Sequence, residues 1–123
     1  MNRKELAEYI LATYGVCGDR PWMGSPEFVV YRHADNQKWF ALVMDVPRSR
    51  LGLPGDGILD VVNLKCDPAL VICLRDQDGF FPAYHMSKTN WVTVALDGSV
   101  DDDQLIALLD MSFDATATKT RRK

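Results

Sequence analysis

Leu6, Ile10 and Tyr14 recur every four positions, the spacing that lines one face of a helix. Leu11 widens that stripe. Asn2 followed by Glu5 makes a capping-box pattern at its start, and Gly15 stands where a helix stops in a left-handed turn. "GVCGDRPWMGSP" then breaks the periodicity with glycine and proline and reads as a loop. "EFVVYRH" and "KWFALVMDV" are β-branched and aromatic, and the intervening "ADNQ" predicts a hairpin of residues 27–33 and 38–46. "PRSRLGLPGDG" carries two prolines and three glycines and reads as a long exposed loop. A third strand, "ILDVVNLK", spans 58–65. Asp67 caps a short helix with Pro68 at its first position, where a missing N–H costs nothing. In "FFPAY", Pro82 confines a short extended piece to a sheet edge or a bulge. "WVTVAL" alternates as a fifth strand. Asp97-Gly98 makes a turn and Ser99 caps a last helix, with Asp101, Asp102 and Asp103 in the first turn, where the helix dipole favours negative charge. Leu105, Leu108, Leu109 and Phe113 form its apolar stripe.

The order is helix, three strands, helix, two strands, helix. Hairpin-length connections dominate, so the class is α+β, an antiparallel sheet of about five strands with helices packed on it. One domain over residues 1–114 accounts for the pattern, followed by a basic flexible tail at 115–123. A chain of 123 residues is long enough to bury a core without metals or disulfides.

Hydrophobic content of 47% and charged content of 25% are those of a globular protein. The start, "MNRKELAEYIL", lacks the apolar core of a secretory signal, and no run approaches the roughly eighteen apolar residues of a membrane span. Cys17, Cys66 and Cys73 are odd in number and lack C-x-x-C spacing, which argues for reduced thiols and a cytoplasmic location. Lys119, Arg121, Arg122 and Lys123 lie beyond the last apolar pattern; without them 10 basic side chains face 17 acidic ones, a balance of −7. Such a body repels polyanions unless its cations gather on one face.

Recognisable chemistry is sparse. His33 and His85 are far apart, with no cysteine or carboxylate at ligand spacing, so no metal site is expected. Cys66, between a strand and a helix start, would have a lowered pKa and act as a nucleophile only beside His85; a small buried residue is the simpler reading. No phosphate-binding glycine loop or nucleophile elbow is present. The aspartate triplet needs no ion as a capped helix start. No constellation supports an enzyme, and no cofactor is implied. The exception in density is "YHMSKTNW", with Tyr84, His85, Lys88 and Trp91 in eight residues. Tyr84 and Trp91 suit a half-buried core as well as a binding surface. The segment is expected to be a bent connection into the last strand with Trp91 partly covered, and His85 and Lys88 to share one concavity with Lys65.

Three stretches, "NLKCDPAL", "PAYHMSKTNW" and "LDGSVDDDQLIALLDMSF", resemble the MmcQ/YjbR family of small bacterial proteins, in order and across nearly the whole chain. The resemblance implies an α+β fold with an antiparallel sheet. It also implies DNA binding, which the family is assigned by likeness to a "double wing" domain of a phage transcription factor. A DNA partner would be held at its phosphates by Arg32, Lys38, Arg48, Arg50 and Lys65, with Tyr84 and Trp91 stacking on a base or sugar. The alternative is a protein-interaction or small-ligand module using Lys65, Tyr84, His85, Lys88 and Trp91, which the acidic balance favours. The chain departs from the family pattern at Asn90, where many members have His, and in its long "PRSRLGLPGDG" loop.

Overall fold

The structure is a computed structural model that describes residues 1–118; the basic positions from Lys119 onward lie outside the described residues. The elements are α1 (Arg3–Tyr14), β1 (Val29–Arg32), β2 (Trp39–Pro47), a 3-10 turn (Arg48–Leu51), β3 (Ile58–Lys65), α2 (Pro68–Leu74), β4 (Phe80–Pro82), β5 (Trp91–Ala95) and α3 (Asp102–Thr116). The five strands form one antiparallel sheet in the order β1-β2-β3-β5-β4. The fold is the α+β architecture expected from the sequence pattern, and Pro82 does sit on an edge strand.

Strand alternation divides the sheet into two faces. Val43 pairs with Val29 and Val62, and Val62 pairs with Val94. These four turn to the side covered by the helices, where Leu6 and Ile10 of α1, Val71 and Leu74 of α2, and Leu105, Leu108 and Leu109 of α3 close the main core. The neighbouring positions Val30, Leu42, Met44, Val61 and Ala95 turn to the opposite side and form a second cluster. Loop residues and the 3-10 turn cover that side: Phe28, Leu51, Leu53, Tyr84 and Met86 pack on it.

The helix ends follow from local chemistry. The Asn2 side chain accepts from the Glu5 amide at 2.8 Å and the Glu5 carboxylate accepts from the Asn2 amide at 2.9 Å. Gly15 closes α1 with φ 70°, a left-handed conformation that costs glycine little. Arg3 ties α1 to the sheet by a two-pronged bond to Asp60. Asp67 caps α2 by accepting from the Ala69 amide at 2.9 Å. Ser112 of α3 is buried between the central strands. Its hydroxyl donates to the Phe40 carbonyl at 2.6 Å and accepts from the Lys65 amide at 2.9 Å. Those backbone groups lie one step beyond the last β2–β3 pair, Ala41 with Leu64. The hydroxyl thus completes the ladder where direct pairing stops.

Several local expectations need correction. Leu11 is 53% exposed and does not widen the buried stripe, because Leu6 and Ile10 already face the core about one turn apart. Ser99 does not cap α3; its amide and hydroxyl donate to Asp97, and Asp101 holds the cap position without a side-chain bond. The 47–57 segment is more ordered than an open loop. Arg48 Nε donates to the Pro54 carbonyl at 3.0 Å, and Leu51 and Leu53 turn inward onto the second face.

Candidate functional site

The helix-free face is organised by a buried polar pair. Asn63 and Thr93 sit opposite each other on β3 and β5, both fully buried. The Thr93 hydroxyl donates to Asn63 Oδ1 at 2.5 Å and accepts from the Tyr84 amide at 2.9 Å. Asn63 Nδ2 donates to the Tyr84 carbonyl at 2.8 Å. Both backbone polar groups of Tyr84 are therefore held by strand side chains, the pairing that burial demands. The next residue, His85, has φ 64°, a left-handed backbone that a non-glycine residue adopts only when its surroundings hold it there. The Tyr84 and His85 rings lie 4.0 Å apart. Farther on, Trp91 N–H donates to the Ser87 carbonyl and Cys66 N–H to the Asn90 carbonyl. The 84–91 segment is the bent connection anticipated, and Trp91 is half-buried at its end.

This connection separates two hollows. The first, about 320 Å³, lies between the 16–28 loop and the left-handed turn. Leu42 and Met44 of β2 form its floor, and Trp22, Phe28, Trp39 and Met86 its walls. Among the described residues Ser25 and His85 are its only polar lining residues. Trp22, 37% exposed, meets Phe28 and Trp39 edge-on at 5.9 and 5.7 Å, a favourable aromatic geometry. The second hollow, about 270 Å³, lies beyond Tyr84 and is lined by Arg50 and Leu51 of the 3-10 turn, Phe81 and Pro82 of β4, and Lys88. Lys88 also borders a smaller depression beside α2 with Arg75.

His85 and Lys88 are both exposed but do not share the expected concavity with Lys65. The left-handed turn at His85 redirects the chain, so that His85 faces β2 while Lys88 faces α2 and the 3-10 turn. The Lys65 ammonium instead lies over the Trp91 ring, 6.0 Å from its centre, within cation–π range. Among these residues the structure brings Tyr84 and Lys88 together in one hollow, Lys65 and Trp91 in a separate contact.

The cations expected to hold phosphates fall into two groups. Arg32, Lys38 and Lys65 lie at one end of the sheet, and Arg48 and Arg50 follow the far end of β2. Nine residues of strand put those ends about 27 Å apart. Arg32 is paired with Asp19, and Arg48 is folded onto its own loop.

The remaining candidates for chemistry are structural. His33 is buried between the Phe40 and Phe113 rings, with Nε2 2.9 Å from Thr116 Oγ1. The Thr116 hydroxyl donates to the Ser112 carbonyl, so His33 Nε2–H is the donor to Thr116. Cys66 runs against its expected pKa. Burial pushes the thiol up and the Asp67 charge adds to that, while the Asp67 amide pulls the other way without prevailing. Cys17, Cys66 and Cys73 are free thiols. Among the described residues no group of three or more His, Cys, Asp or Glu is placed to hold a metal ion.

Sequence reasoning missed Asn63, Thr93, Trp22, Phe28, Trp39, Met44 and Met86. For the first two there was a signal, an amide and a hydroxyl alone inside otherwise apolar strands. Trp22 sits in a glycine- and proline-rich loop, where a large aromatic needs something to lean on.

A five-stranded antiparallel sheet with helices on one face and loop-walled hollows on the other defines a small α+β domain. This chain belongs to the YjbR family, whose model matches residues 11–115. It is 34% identical over 116 residues to the uncharacterized protein YyaQ of Bacillus subtilis, covering 94% of this chain and 98% of that one. It is 43% identical over 53 residues to the uncharacterized protein YjbR of Escherichia coli K12, 42% of this chain and 45% of that one. A crystal structure of a Pseudomonas syringae protein, 42% identical, superimposes with a TM-score of 0.93 over 95% of this chain and all of that one. A Deinococcus radiodurans protein, 24% identical, shares the fold with a TM-score of 0.73 over 99% of this chain and 83% of that one. No helix of the described residues is long and apolar enough to cross a membrane.

Proposed function

We propose that this YjbR-family domain is a binding module for a small molecule with a flat apolar body, held in the hollow between Trp22 and Met86. The observation that carries the reading is the lining. Two tryptophans, a phenylalanine and two methionines converge from three separate segments, with only Ser25 and His85 as polar groups. A concave, mostly apolar site with a few polar groups is the usual form of a small-molecule site, and methionine adapts its shape to the guest. About 320 Å³ is near the lower end of the range such ligands occupy. The neutral dye N-phenyl-1-naphthylamine is a suitable probe. Saturable binding is expected, read by dye emission and tryptophan quenching. Trp22→Ala should weaken it about tenfold by removing one aromatic wall, with the thermal midpoint little changed. Non-saturable binding, or binding indifferent to Trp22→Ala, rejects this assignment.

DNA binding is a second reading, supported by Lys65 lying beside the half-buried Trp91 ring, on which a base can stack. The charge balance opposes it. Five phosphate contacts would give a slope of log K against log salt of about −4.5, and a loss of roughly 500-fold between 50 and 200 mM salt. Affinity that survives truncation after Thr118 but fails on Arg48→Ala, Arg50→Ala, Lys65→Ala would favour it over the small-molecule reading.

A further inference from the structure

We infer that the ligand is an anionic amphiphile, a small organic acid lying across the Tyr84–His85 ridge with its apolar body against Trp22 and its acid group between Arg50 and Lys88. This inference rests on the binding reading above and names the ligand class of that site.

The two hollows are adjacent through neighbouring residues. His85 lines the apolar one, Tyr84 lines the other, and their rings are in contact at 4.0 Å. Their chemistry is opposite. The chain carries 17 acidic side chains, yet none of them lines the hollow of Arg50 and Lys88. Among the described residues neither cation makes an ion pair.

Two other depressions hold cations and no lining carboxylate, one with Arg3, Lys4 and Arg20 and one with Arg75 and Lys88; the Arg50 hollow is set apart by the Tyr84–His85 ring contact that joins it to the apolar one. Arg3, which shares a depression with Lys4 and Arg20, is engaged by Asp60 and Glu27. Arg48 lines a depression together with Asp78 and Asp97. In an acidic body, two unpaired cations in one concavity without a carboxylate raise the local concentration of anions. A guanidinium and an ammonium can both donate to one carboxylate or sulfonate. The half-buried Tyr84 ring supplies an apolar step from one hollow to the other.

A matched pair of dyes separates the two halves of this site. 8-Anilino-1-naphthalenesulfonate has the arylaminonaphthalene body of N-phenyl-1-naphthylamine plus one sulfonate. The full-length protein should bind the sulfonate about tenfold more tightly at low salt, as charge-assisted hydrogen bonds allow. High salt should narrow the difference. The exposed pair Arg50→Ala, Lys88→Ala should abolish it while leaving the neutral dye within about twofold, because neither side chain touches the apolar hollow. Unchanged circular dichroism checks that the variant is folded. Equal affinity for both dyes, or a sulfonate advantage that persists in the double variant, overturns the inference and leaves the binding module standing. Failure of both dyes to saturate the wild-type protein removes the module and the inference together.

Discussion

Thr93 and Asn63 face each other across β5 and β3 and share a 2.5 Å hydrogen bond in the middle of two apolar strands. The same Thr93 hydroxyl accepts from the Tyr84 amide and Asn63 Nδ2 donates to the Tyr84 carbonyl, so the pair acts as a clamp on the turn between the two hollows. Thr93→Val keeps the shape and removes the hydroxyl, leaving Asn63 Oδ1 and the Tyr84 amide without a partner. A loss of about 1–3 kcal/mol is expected, the cost of unsatisfied buried polar groups. Urea denaturation reads the loss, and faster amide exchange at Tyr84 locates it. Unchanged exchange there would refute the clamp.

Tyr14 makes stability sensitive to alkali. Its ring stacks on Phe113 at 4.1 Å and its hydroxyl donates to Asp110. Burial first, then the Asp110 hydrogen bond and charge, push the phenol far above its ordinary value of 10.0. The unfolded chain can lose that proton near pH 10 while the folded chain retains it. The contribution is therefore whole below the ordinary value and is lost progressively as pH rises above it. Between about pH 9 and about pH 11 the urea midpoint of the wild type should fall more than that of Tyr14→Phe, which has no phenol to ionise. Parallel curves would show that Tyr14 carries no such linkage.

The cysteines should react in two classes. Cys17 and Cys73 are exposed and Cys66 is buried with its thiol pushed up. Since the thiolate is the reactive form, an aromatic disulfide reagent near pH 8 should modify Cys17 and Cys73 quickly, and Cys66 only on unfolding. Mass mapping of early products assigns the sites. Cys66 among the first would contradict its placement.

Ser112→Ala is expected to cost about 1–3 kcal/mol, because it orphans the Phe40 carbonyl and the Lys65 amide at once. Denaturation at fixed pH measures this. The result to be excluded is a variant as stable as the wild type.

Local chemistry made much of the fold legible. The Asn2–Glu5 capping box, Gly15, the Asp67–Pro68 start and Pro82 on an edge strand each follow from one or two neighbouring residues. The alternation of "WVTVAL" likewise marked β5, whereas the pairing of Val43, Val62 and Val94 came only with the structure. What was not legible depends on contacts between distant segments. Trp22 meets Trp39 only after a loop folds back over β2, and no periodicity reports that. Tyr84, His85, Lys88 and Trp91 were a compact set in sequence, yet the chain turns at the left-handed His85 and leaves His85 in one hollow, Tyr84 and Lys88 in another, and Trp91 against Lys65. Cys66 misled because a helix start suggests a lowered pKa, whereas burial and Asp67 decide the direction. Ser99 misled because a serine before a helix can serve the preceding turn instead.

The Ser112 hydroxyl between β2 and β3 has a bearing on the order in which the chain assembles. Phe40 and Lys65 belong to strands made early in synthesis, whereas their shared partner arrives nearly fifty residues after Lys65. Until α3 has emerged and docked, that end of the central hairpin stays open, its carbonyl and amide bound to water. The final helix therefore works as a latch on that end of the β2–β3 pair, which its hydroxyl can close only after both strands have been made.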